Sequence, residues 1–185
     1  MERISIAIIF VLVLLMAILL ILIGFAEPVA NSGGLAHPDV PGMQIGGDGG
    51  ERLQYIGVYA FLFQALLLAL VVVLCALSVS ERNQSPQFLV YLGLTLLLSW
   101  IVWWQMYSQH QLFLETGQTA YFMGFPVATA WQTYGTWLAA IPLVLIYSIG
   151  FRRYIYTADD EARFNDLLKQ LEADKNSNTD NKETI

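Results

Sequence analysis

Side chains that commonly carry chemistry are few in this chain, and they are far apart. There are two histidines, His37 and His110, and a single cysteine, Cys75. His37-Pro38-Asp39 with Met43 can be drawn as a copper site, yet the spacing does not demand one and a glycine-rich loop organises ligands poorly. Neither histidine faces another within an apolar stretch, which excludes an embedded bis-histidine haem. No Ser-His-Asp or Cys-His set, phosphate-cradling glycine loop or carboxylate pair is present. Glu115 is the only acid between 109 and 126, and it reads as a solvated loop residue rather than a general base. Cys75 reads as a small core residue and, being single, makes no intramolecular disulfide. The expectation is therefore no catalytic residue, no metal and no cofactor, and a protein that is not an enzyme.

The elements that hold these residues are apolar helices. Four long stretches, Ile4–Phe25, Tyr55–Val79, Phe88–Ser108 and Val127–Phe151, have no charge in their central turns. A helix needs about 20 apolar residues to cross a bilayer. The chain is 185 residues long and 56% hydrophobic, and its mean hydropathy is +0.55. These values predict an all-α, polytopic membrane protein in which residues 1–156 form one four-helix bundle. The first stretch is expected to stay as an anchor, because its apolar run exceeds the 7–15 residues of a secretory signal core.

Charge sets the expected orientation. Arg3 precedes the first span, Arg82 lies in the short link after the second, and Arg152 and Arg153 follow the fourth. The 109–126 loop has no Lys or Arg. Positive residues favour the cytoplasmic side, so both termini are expected in the cytoplasm. The net charge of −6 says little about partners, because acids concentrate in the tail after residue 156. Nucleic acid is not an expected partner, since nine Lys and Arg form no basic patch.

The outer loop 26–54 holds half of the fourteen glycines and three prolines. It is expected to form no core and to drape over a partner or stay mobile. After the fourth span, Thr157 reads as a helix cap followed by Asp159 and Asp160 in the first turn. Phe164, Leu167, Leu168 and Leu171 then make one apolar stripe on a charged helix over 157–175. The helix is too acidic for anionic lipid, so a protein groove is the expected dock. Residues 176–185 are polar and expected to be disordered.

All five tryptophans fall between residues 100 and 137: Trp100, Trp103, Trp104, Trp131 and Trp137. Phe122, Phe125 and Tyr134 join them. Such residues anchor spans at the membrane interface, or they build a protein-facing surface. Gly124-Phe125-Pro126 opens the fourth span sharply, and Gly135 suggests a close approach to another helix. Pro142 should bend that span. Within the spans the polar groups are Gln64, Ser99, Gln105, Thr129, Gln132, Thr133 and Thr136, read as hydrogen-bonding glue between helices. No Asp, Glu, His or Lys sits in the span interiors, although ion-coupled carriers usually place one there.

Phe88–Arg153 resembles the small two-span subunits that accompany bacterial sodium/solute symporters. Trp100, Phe122, Gly124-Phe125-Pro126, Trp131, Tyr134-Gly135, Tyr147 and Arg152-Arg153 carry the likeness, which covers about a third of the chain. The resemblance implies an accessory role beside a larger integral membrane carrier. The first two spans and the tail helix have no counterpart in that pattern. The leading expectation is a non-enzymatic accessory subunit that uses the 100–137 aromatics and the tail stripe as its partner surface. A small structural subunit of a respiratory or other electron-transfer complex is the alternative, and a stand-alone channel or lipid-handling protein the third.

Overall fold

The computed structural model describes residues 2–183, with side chains described at 6–173 and 175. The architecture is all-helical apart from two hairpins with strands of two residues each. Helix α1 covers Glu2–Gly24, α2 Gly49–Leu77 and α3 Pro86–Thr116. These three are long and apolar enough to cross a membrane. At 1.5 Å per residue the 29 residues of α2 and 31 of α3 extend about 44 and 46 Å, beyond the ~30 Å hydrocarbon layer.

The fourth apolar stretch is built differently from the uniform helix expected over 127–151. It is a composite of α4, Val127–Ala130, a wide π turn at Trp131–Gly135, and α5, Thr136–Ser148. A second π turn follows at Phe151–Ile155. Gly135, the last residue of the first π turn, is where this segment comes closest to α3. A Cβ there would lie 2.9 Å from Val102 Cγ1 and 2.8 Å from the Trp131 ring, so the backbone reaches α3 only without a side chain. Pro142 sits inside α5 without ending it.

Helix α3 also runs further than the expected 88–108. Ser85 caps its start by accepting from Phe88 N–H at 3.2 Å, and Pro86 occupies the first turn. It ends only at Gly117, whose φ of 65° supplies the left-handed cap. The loop that follows is therefore 117–126 rather than 109–126.

Helix α1 packs on α2, α2 on α3, and α3 on the composite fourth segment. Val102, Ala130 and Ala139 are buried where that segment meets α3. A second cluster closes one end of the bundle, where Val79, Phe88, Leu92 and Tyr154 meet. The Phe88 and Tyr154 rings are 5.1 Å apart there.

The loop between α1 and α2, expected to form no core, contains a short exposed hairpin. Leu35–Ala36 pairs with Gln44–Ile45. Gly47 is pressed against the Asn31 carbonyl, where a Cβ would approach to 2.0 Å. Helix α6, Ala158–Glu183, runs through most of the tail expected to be disordered over 176–185. The last two positions of that tail, 184 and 185, lie outside the described residues.

Candidate functional site

The aromatic window does not form one surface. Its first part binds α3 to α2. Trp100 Nε1 donates to the Ala65 carbonyl at 3.0 Å, and Trp103 Nε1 to the Phe61 carbonyl at 3.0 Å. The Trp103 ring stacks on Phe61 at 5.8 Å and 9°. Tyr107 lies 4.6 Å from Phe61, and Trp104 meets it edge-on at 5.9 Å. The residues expected to meet a partner are thus partly spent inside the chain, with Trp104 left more than half exposed.

The second part surrounds the entry to the fourth segment. Tyr121–Phe122 pairs with Phe125–Pro126 across Met123 and Gly124, whose φ values are 49° and 84°. Positive φ at both central positions is the pattern of a type I′ hairpin, which Gly124 fits without strain. The pairing sets Phe122 and Phe125 on the Tyr134 ring, at 6.1 and 6.2 Å, both edge-on. Phe122, Trp131, Tyr134 and Gly135 then line an apolar groove of about 320 Å³ together with Val127 and Leu138. Trp137 stands apart from it and is 76% exposed.

The tail stripe lies at the opposite end of the bundle. Thr157 and Asp160 form a reciprocal cap. The Thr157 hydroxyl accepts from Asp160 N–H at 3.4 Å, and the Asp160 carboxylate accepts from Thr157 N–H at 3.0 Å. Asp160 also takes Asn83 Nδ2 at 3.1 Å and pairs with Arg82. Arg152 pairs with Glu161 at 2.9 Å. The Thr157 hydroxyl and backbone N–H, then Asn83 and Arg82, hold the Asp160 carboxyl down to about 2. This network ties the root of α6 to the link after α2. Beyond it Phe164, Leu167, Leu168 and Leu171 are 54, 57, 42 and 65% exposed.

The expected polar glue behaves unexpectedly. Ser99 Oγ donates to Thr95 O at 2.9 Å and Thr95 Oγ1 to Tyr91 O at 2.9 Å, both within α3. Gln64 lines a cavity of about 200 Å³ between α2, α3 and α5. Bonds that cross between the long apolar segments include those of Trp100, Trp103 and Tyr147, the last donating to the Cys75 carbonyl. Phe61 and the Arg82–Asp160 pair were not legible as site residues. Phe61 is one phenylalanine in an apolar run, and the ion pair joins positions 78 apart.

His37 Nδ1 accepts from the N–H groups of Asp39 and Val40, both at 3.1 Å, so the His-Pro-Asp run serves as a turn. Among the described residues no group of three His, Cys, Asp or Glu is placed to hold a metal ion. Comparison with known protein families, curated proteins and solved structures gives no match.

Proposed function

We propose that the chain is a non-enzymatic accessory subunit of a larger integral membrane protein, a transporter of the bacterial inner membrane with a sodium/solute symporter as the expected partner. In this reading the composite fourth segment is a fourth span, and both termini face the cytoplasm. The tail helix carries the reading. Its stripe of Phe164, Leu167, Leu168 and Leu171 is uncovered on an otherwise charged helix, while an ion-pair network fixes its root. An apolar stripe held in water at a set position is suited to a protein groove. The hairpin groove at the other end supplies a second contact inside or beside the bilayer. The resemblance of 88–153 to symporter subunits names the class of partner.

The test is purification from native membranes by a terminal tag in gentle detergent, with mass spectrometry of what accompanies the chain. A large carrier at a fixed ratio is the expected result. Leu167→Asp with Leu171→Asp should cut its recovery roughly tenfold or more, since two apolar anchors are lost. Gly124→Ala with Pro126→Ala should weaken recovery through the hairpin. Recovery of the chain alone, or of redox subunits with haem absorbance, would overturn the proposal.

A further inference from the structure

A groove of about 510 Å³ runs between α3 and the fourth segment on the face away from α2. Its walls are Tyr91, Leu94 and Leu98 on one side and Pro142, Leu145 and Ile149 on the other. The spacing on each wall is three to four residues, so each helix offers one continuous apolar row. Arg153 closes the groove at the end where α3 begins.

Arg153 is held in place there. Its Nη2 donates to Gln87 Oε1 at 2.6 Å, and its guanidinium carbon lies 5.4 Å from the centre of the Tyr154 ring. Neighbouring arginines are committed elsewhere, Arg82 to Asp160 and Arg152 to Glu161. Among the described residues no carboxylate pairs with Arg153. From Arg153 back to Pro142 is eleven residues, or about 16 Å of helix. One leaflet of the hydrocarbon layer is about 15 Å deep. An apolar slot one leaflet deep, with an unpaired cation at the headgroup level, has the shape and charge of a lipid site.

We propose that the groove between α3 and α5 binds one anionic phospholipid, an acyl chain lying along Leu98 and Leu145 and the phosphate on Arg153. The inference rests on the chain being embedded in a bilayer, and the experiment separates the two.

Purified protein is placed in nanodiscs of phosphatidylcholine, then examined by native mass spectrometry after exchange with phosphatidylglycerol of the same acyl chains. The expected result is one retained phosphatidylglycerol in preference to phosphatidylcholine. Arg153→Gln should reduce that preference about fivefold, the loss of one arginine near a headgroup. Arg153→Lys should keep it, and Arg152→Gln should leave it unchanged. Leu98→Trp should lower retention of both lipids by filling the slot. Equal retention of the two lipids by the unaltered protein would overturn the proposal, as would displacement by inorganic phosphate, which would mark a free-anion site. A partner helix recovered in the groove in place of lipid would overturn it too. Failure to enter nanodiscs at all would instead remove the membrane reading on which it stands.

Discussion

Single residues in this protein matter where a helix surface has no room or a charge has a fixed partner. Gly135 is the clearest case of the first. Gly135→Leu must displace Val102 and the Trp131 ring, and overpacking of this kind costs about 1–3 kcal/mol. Denaturant unfolding in detergent should show that loss, whereas the same change at Gly93, which has open space around it, should be near neutral. Asp160 is the case of the second. Its carboxyl titrates near 2 in the folded chain against an ordinary 3.8. The bonds that lower it thus favour the docked tail root above about pH 4, and that contribution is lost as pH falls through 2. Distance measurements between labels on α6 and the 81–83 link should lengthen across that window, and Asp160→Asn should abolish the transition. Gly135 was legible in the sequence as a point of close approach. The Asp160 network was not, because only half of it, the Thr157 cap, is local.

At the level of elements, apolar length identified the helices but not their limits or continuity. The end of α3 moved from 108 to 116 because Leu112, Phe113 and Leu114 continue the helix and the stop is a glycine conformation. The fourth stretch reads as one run of apolar letters, yet it contains one wide turn and runs into a second, which hydropathy does not register. Helix pairing was misread in kind. Small hydroxyls and amides were the expected glue, but indole N–H groups reaching across to carbonyls of α2 fill that role. Trp103→Phe keeps the ring on Phe61 and deletes only that bond. It should cost about 0.6–2 kcal/mol in unfolding free energy, measured in detergent.

For the whole molecule, the alternation of helices places the loops of 25–48 and 117–126 at one end and the 78–85 link with the root of α6 at the other. Cysteines introduced at Ala36 and Gln118, in a Cys75→Ser background, should react with an impermeant thiol reagent from one side of intact membranes. A cysteine at Asn83 should react only from the opposite side. Labelling of all three from one side would exclude a four-span arrangement. The expected partner surface is likewise divided between the two ends, hairpin groove at one and tail stripe at the other, which its close spacing in the sequence does not reveal. One further property follows from the packing order. Helix α1 rests on α2, while the rest of the bundle closes without it. The loop joining them carries its own small hairpin. A chain cut at the tip of that hairpin, between Pro41 and Gly42, would still hold two complementary strands and two complementary helices. The two pieces, made separately in the same cell, should therefore reassemble into one bundle, which co-purification through a tag on either piece would show.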